Sequence, residues 1–266
     1  MEQTFETPGP VELYVENGRG RVVVTTADVA RTEVRVFGPQ AGEFVVEHRD
    51  DSVAVVAPRG SGFLRKDSEA EVEVVAPRCS SLTAKLGSSD LVTHGPLGTT
   101  WVNSGSGDVA LERVDGTLDV QSGSGGVRVG HVDLEGRIKS GSGDVRVESH
   151  RGTLAVKSGS GDVLVGQSGD ELACTTGSGD VDVRVASRGR VTARSASGDI
   201  GIGFTPGTPV WTDVNTVSGR ISSTLPPTGE PAEGQDFVEL RATTVSGDVT
   251  LSVGQAQDRI ATPRRQ

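Results

Sequence analysis

Apolar and polar residues alternate along most of this chain. In the stretch from Leu154, the hydrophobic residues Leu154 and Val156, then Val163 and Val165, stand two apart, the period of a half-buried β-strand. Between the two strands lies a tight turn that recurs. The lines T-W-V-N-S-G-S-G-D-V-A-L from Thr100, L-D-V-Q-S-G-S-G-G-V-R-V from Leu118, R-I-K-S-G-S-G-D-V-R-V from Arg137, L-A-V-K-S-G-S-G-D-V-L-V from Leu154 and L-A-C-T-T-G-S-G-D-V-D-V from Leu172 align without gaps. The turn Asp falls at Asp90, Asp108, Asp144, Asp162 and Asp180, with Gly126 in the missing place, a step of 18 residues. The step then lengthens to 19 at Asp199, 21 at Arg220 and 28 at Asp248. The added residues, among them Pro206, Pro209, Pro226, Pro227 and Pro231, are expected to leave the repeat as loops.

A repeat this short cannot bury its own apolar face, so stability has to come from stacking on its neighbours. The expected fold is therefore all-β: a parallel β-solenoid, related to β-helices and β-rolls, with 18 residues and two main strands per coil. At about 4.8 Å per coil, nine coils make a rod of roughly 40 Å. The left-handed hexapeptide helix also has 18-residue coils, but its six-residue period is absent, which favours a flattened two-sheet coil. Glycine is expected in the turns as the residue that tolerates positive φ.

Residues 1–78 lack the turn yet read as strands at Val11–Val15, Arg21–Val24, Thr32–Val36, Glu43–Val46, Ser52–Val56 and Glu71–Val75. Five of the nine aromatic residues fall here: Phe5, Tyr14, Phe37, Phe44 and Phe63. This segment is expected to be an N-terminal β cap continuous with the solenoid, since terminal repeats commonly cover the open sheet edge. Residues 79–253 form the repeats, and 254–266 read as a polar, disordered tail.

Composition narrows the picture. With 3% aromatic residues and one Met, the core has to be built from Val, Leu, Ile and Ala, which suits a thin space between stacked sheets. A formal net charge of −10 argues against nucleic acid as a partner. The start Met1-Glu2-Gln3-Thr4-Phe5 has neither the basic nor the apolar region of a secretory signal, and no stretch approaches the roughly 20 apolar residues of a membrane helix. A cytoplasmic protein with no membrane insertion is expected, and a surface location would need an export route the sequence does not show. Cys79 and Cys174 have no CxxC neighbour, and Cys174 falls in register with Val102, Val120 and Val156, the place of a buried small hydrophobe.

The S-G-S-G-D-V-x-V series, together with Gly9-Pro10-Val11-Glu12-Leu13 and Gly18-Arg19-Gly20-Arg21-Val22-Val23-Val24, resembles a bacterial family of unknown function labelled "putative adhesin", its actinobacterial members above all. The similarity runs from about residue 5 to 253. It implies a β-solenoid and an adhesive role.

The stacked carboxylates of Asp108, Asp144, Asp162, Asp180 and Asp199 are candidate Ca²⁺ ligands, since rows of oxygen donors suit that ion. Calcium-binding β-rolls, however, repeat G-G-x-G-x-D-x-U-x, with a residue between Gly and Asp. Here Asp follows Gly directly, so its carboxylate is expected to accept hydrogen bonds from turn N–H groups. Ser104, Ser122, Ser140, Ser158, Thr176, Ser195 and Thr216 share one inward register position, where hydroxyls can bond along the stack. His48, His94, His131 and His150 share no metal-ligand spacing and read as surface residues. None of the Gly-rich turns continues as G-K-S or G-K-T, so they are not phosphate cradles.

Trp101 and Trp211 point outward by parity and are candidate platforms for a sugar or protein partner. The expected function is a non-enzymatic scaffold, adhesin-like, that binds a protein, a glycan or another copy of itself through its regular faces, without cofactor or catalytic residues. The alternatives are a cytoskeleton-like polymer whose ends meet head to tail, and, behind it, a calcium-binding β-roll or a carbohydrate-active enzyme.

Overall fold

The computed structural model describes residues 1–58, 69–227, 231–232 and 234–254. Phe63 and the expected tail beyond Gly254 lie outside the described residues. Apart from one turn of 3-10 helix at Ala41–Glu43, all the regular structure among the described residues is strand.

The N-terminal strands are β1 (Glu2–Glu6), β2 (Glu12–Ala27), β3 (Arg31–Phe37), β4 (Val45–Arg49), β5 (Ser52–Val56), β6 (Ala70–Pro77) and β7 (Ser81–Leu97). The short-coil strands follow in pairs: β8 (Thr100–Ser104) with β9 (Val109–Val114), β10 (Leu118–Ser122) with β11 (Val127–Val132), and β12 (Glu135–Ser140) with β13 (Val145–His150). Then come β14 (Thr153–Ser158) with β15 (Val163–Ser168), β16 (Glu171–Thr176) with β17 (Val181–Ala186), and β18 (Gly189–Ser197) with β19 (Ile200–Phe204). The last two pairs are β20 (Val210–Ser218) with β21 (Ile221–Ser223) and β22 (Val238–Ser246) with β23 (Val249–Val253).

Strand pairing resolves these into two faces over one core. The first runs β4-β5-β2-β7-β8-β10-β12-β14-β16-β18-β22-β20. The second runs β1-β3-β6-β2-β7-β9-β11-β13-β15-β17-β19-β23-β21. β2 and β7 pass through both faces. Every pairing from β2 onward toward the C-terminal end is parallel, as in Val120 opposite both Val102 and Ile138, and the register shifts only within β7–β9 and β17–β19. The chain is thus the all-β parallel solenoid its period implied. At about 4.8 Å per strand, a face spans roughly 50 Å.

Parity decides what fills the interior. Val102, Val120, Ile138, Val156, Cys174, Ala193 and Ala242 form one inward column, and Val109, Val127, Val145, Val163, Val181, Ile200 and Val249 face it, each at most 1% exposed. Sheets about 10 Å apart leave room for little more than these branched side chains. Cys174 sits among them, and burial pushes its thiol up to about 12. A thiol reagent should therefore label only Cys79, which is exposed, in the native protein and both cysteines after unfolding. Labelling of both at comparable rates in native conditions would show that the core opens.

The turn glycines are where the structure departs from expectation. Positive φ occurs at Gly20, Gly38, Gly95, Gly189, Gly207 and Gly234, and at no glycine of the repeated turns. The constraint there is distance. A Cβ at Gly107 would lie 2.0 Å from the Ser89 carbonyl oxygen, at Gly143 2.2 Å from that of Gly125, and at Gly161 2.3 Å from that of Gly143. The coils approach too closely at this corner for any side chain.

The order of the last coils is a second departure. The coil of β22 and β23 comes last in the chain, yet it stacks between β18–β19 and β20–β21. Its inward residues explain the choice. Val238, Leu240, Ala242, Val249 and Leu251 are all buried, whereas the corresponding set on β20 and β21 has Thr212 in place of Leu240 and Ser223 in place of Leu251. Apolar area is worth about 25 cal/mol per Å² when covered from both sides, so the more polar coil takes the end.

The other end is built differently. β3 pairs antiparallel with β6, β1 with β3, and β4 with β5. Phe44, expected in a strand, instead follows the 3-10 turn and plugs the core at 7% exposure. Phe5 of β1 meets His48 of β4, their ring centroids 5.0 Å apart, across the mouth between the two sheets.

Candidate binding faces

The polar residues of the repeat fall into two groups, those held by the stack and those displayed by it. The Asp column belongs to the first. Oδ1 of Asp90 accepts the Asp108 N–H at 2.9 Å, and Asp108 accepts that of Gly126 at 2.8 Å. After the interruption, Asp144, Asp162 and Asp180 accept the N–H groups of Asp162, Asp180 and Asp199 at 3.0, 2.9 and 2.8 Å. Asp199 accepts the Asp248 N–H at 2.8 Å, and Asp248 that of Arg220 at 2.7 Å. Each Asp thus fastens the coil above it. Arg220 replaces Asp in the terminal coil, where no further turn N–H awaits an acceptor. Among the described residues, no three His, Cys, Asp or Glu side chains gather in an arrangement that could hold a metal.

The inward hydroxyls are also engaged, though not as one row along the stack. Ser104, Ser122 and Ser140 donate within their own turns to the carbonyls of Gly107, Gly125 and Gly143 at 2.9, 2.8 and 2.6 Å, and Ser158 accepts from the Gly161 N–H at 2.9 Å. Only toward the C-terminal end do they reach a neighbouring coil, as Ser195 to Gly179 O at 3.2 Å and Thr216 to Gly247 O at 3.0 Å.

His150 is buried at 4% exposure rather than on the surface. Its Nδ1 lies 3.0 Å from the Gly152 carbonyl, and its Nε2 accepts the Gly169 N–H at 3.2 Å. The geometry fixes one neutral tautomer, with the proton on Nδ1. Burial lowers its pKa, against the raising effects of the Gly152 carbonyl and Asp170. The inward register of Val132, His150 and Ser168, 18 residues apart, was the signal for it. His131 stacks on Ser149, with Nδ1 2.8 Å from Oγ.

Because the folded pKa lies below the unfolded value of about 6.5, the unfolded state binds the extra proton first as pH falls. Wild-type stability should decline from about pH 6.5 downward until the folded histidine itself titrates. Denaturation curves at successive pH values should show this part of the decline missing from His150→Val. An unchanged pH profile in that variant would assign the decline elsewhere.

The displayed residues form columns on the outside. On the first face, Tyr14, Thr83, Trp101, Asp119 and Arg137 follow one another from β2 to β12. Beside them run Glu16, Lys85, Asn103, Gln121, Lys139 and Lys157. Trp101 is half-buried between Thr83 and Asp119, the Lys85 ammonium stands 5.2 Å over the Tyr14 ring, and Oδ1 of Asp119 is shielded without a hydrogen-bond partner among the described residues. Trp211 is 74% exposed on β20, far along the rod from Trp101. The two candidate platforms are not one site. The second face carries a shallow depression of about 310 Å³ over Val92, Ala110, Arg128 and Arg146, rimmed by His94, Glu112 and Glu148.

This arrangement, with parallel coils of two strands over one thin core, agrees with a sequence profile that matches residues 12–252. The chain belongs to the Toastrack DUF4097 family. Solved structures share its fold at low identity. A "putative adhesin" from Parabacteroides merdae superposes with a TM-score of 0.56 at 12% identity, over 94% of this chain and 95% of that one. A "putative lipid binding protein" from Parabacteroides distasonis gives 0.52 at 14% identity, over 94% and 96%. No curated protein matches this Toastrack chain in sequence. Among its described residues, no helix is long and apolar enough to cross a membrane.

Proposed function

We propose that this chain is a non-enzymatic binding scaffold, which engages a partner protein or glycan through the outer face of the first sheet around Trp101. The observation that carries this reading is the division of labour among polar side chains. Turn Asp groups fasten neighbouring coils and turn Ser groups close their own turns, while an indole, the amides of Asn103 and Gln121 and the exposed cations Lys139 and Lys157 are presented on a flat face of the strands.

An aromatic plane flanked by amide and ammonium donors stacks against a sugar ring and bonds its hydroxyls, or anchors an acidic protein surface. The adhesin and lipid-binding labels of the structural neighbours are consistent with a binding role.

A glycan array and a capture experiment from the native host, run with wild type, Trp101→Ala and the pair Lys139→Glu and Lys157→Glu, test the reading. Binding should be lost in Trp101→Ala, be weakened in the lysine pair, and persist in Trp211→Ala. Full retention in Trp101→Ala with loss in Trp211→Ala would move the site to the end of the rod.

A further inference from the structure

The C-terminal end of the solenoid has an open edge whose sequence matches itself. Among the described residues, β20 pairs only with β22, and β21 only with β23. The Pro209 carbonyl accepts the Val238 N–H at 3.0 Å. By the alternation of a strand, the backbone groups of Trp211, Asp213 and Asn215 then point toward β22, and those of Thr212, Val214 and Thr216 toward the open side. A row of donors and acceptors faces outward, as on any unprotected edge strand.

The side chains of this strand are close to palindromic about Val214. Reading outward from it, Asp213 is matched by Asn215, Thr212 by Thr216, and Trp211 by Val217. Trp211 and Val217 are 74% and 82% exposed, among the most exposed large apolar side chains in the protein. We propose that β20 pairs antiparallel with β20 of a second copy, about a two-fold axis at Val214.

In that register, the outward backbone groups of Thr212, Val214 and Thr216 meet those of Thr216, Val214 and Thr212 of the other copy. The outer face then brings each Trp211 indole against the other copy's Val217, and each Asp213 against the other's Asn215, both in non-hydrogen-bonded positions where side chains lie closest. No like charges oppose each other along the strand. The inward Val214 side chains meet at the axis and continue the core from one molecule into the next.

The N-terminal end does not offer the same opportunity. Its edge strands carry Glu2, Glu6, Glu47 and Arg49, charges of the kind that discourage edge pairing, and the Phe5–His48 contact covers the core there. With one open end per molecule, association closes at two copies. Head-to-tail growth would need both ends open.

Analytical ultracentrifugation of the full chain tests this. A monomer–dimer equilibrium is expected, with no larger species as concentration rises. Asn215→Asp sets like charges opposite each other twice per dimer and should weaken the dimer Kd about tenfold. Asn215→Lys sets Lys opposite Asp213 twice and should tighten it several-fold, by about the same order of pair energy. Asn215 is exposed on the outer side of a terminal strand, so neither change touches the core. Thr212→Pro removes an N–H that faces the open side, a position edge strands tolerate, and should leave a folded monomer by circular dichroism. A monomer at every concentration, a dimer indifferent to the charge at 215, or assembly that continues into longer polymers would each overturn the proposal.

Discussion

Replacing Gly143 with alanine will destabilise the protein by about 3 kcal/mol, the upper range for overpacking. For a chain of this size that is a fall in Tm of roughly 6–12 °C. The added Cβ would sit 2.2 Å from the Gly125 carbonyl oxygen, 2.6 Å from its carbon and 3.0 Å from the Gly126 nitrogen. All three are backbone atoms of the coil below, so no side chain can rotate away, and relief requires the two coils to part along the whole corner. Gly42→Ala is the matched control, since nothing lies within 4 Å of a Cβ there, and it should change stability by less than about 0.5 kcal/mol. Thermal melts of the two variants decide the matter. If Gly143→Ala melted with the wild type, the close axial packing of the turns would be wrong.

The carboxylate column gives the second large effect, and it can be tested in both directions. Asp162→Ala removes the acceptor for the Asp180 N–H and should cost about 1–2 kcal/mol, the range between neutral and charge-assisted hydrogen bonds. Asp162→Asn keeps an oxygen in place and should recover much of that loss. At the gap, Gly126 leaves the Asp144 N–H without the carboxylate its counterparts enjoy, and a Cβ there meets nothing nearer than Asp108 Oδ1 at 3.5 Å. Gly126→Asp is therefore expected to stabilise by about 1 kcal/mol, one added hydrogen bond and one flexible glycine fewer. Repulsion from Asp108 and Asp144 would reduce the gain at low salt, so denaturant titrations at two ionic strengths separate the bond from the charge. A destabilised Gly126→Asp at high salt would mean that the ladder is incidental.

Much of the architecture was written in the spacing of residues. The step from Asp144 to Asp162 to Asp180 and the parity of Val156 and Val163 were enough to specify parallel coils, two strands each, with Ser158 and Cys174 turned inward. The period could not reveal the order of the last coils, because stacking order depends on which coil tolerates exposure. Even so, the evidence was present in the chain, where Arg220 stands in place of Asp and Thr212 in place of a Leu or Val.

Glycine, expected in the repeated turns for positive φ, occupies them without it, at places where the neighbouring coil's backbone lies too close for a Cβ. Alignment shows that Gly143 recurs but not that the constraint comes from a carbonyl 18 residues away. The candidate site followed the same division. Parity put Trp101 and Trp211 on the outside, whereas the edge position of Trp211 depends on the stacking order and was invisible without it. His150 departs from the surface place its residue type suggests because its register, shared with Val132, turns it inward.

The insertion of β22 and β23 between coils made earlier has a consequence for synthesis. When residues up to Ser223 have emerged from the ribosome, β18 and β19 present an unpaired edge, and the only coil at hand to cover it is β20–β21. The final register becomes available only once Val253 is free, and any provisional docking of β20 on β18 must then be undone to admit the last coil. Vectorial growth, which suits a solenoid stacked in chain order, here ends in an exchange. Refolding should accordingly show a slow, late phase confined to amides of β18–β23, detectable by pulsed hydrogen exchange, while the coils from β8 to β17 acquire protection earlier.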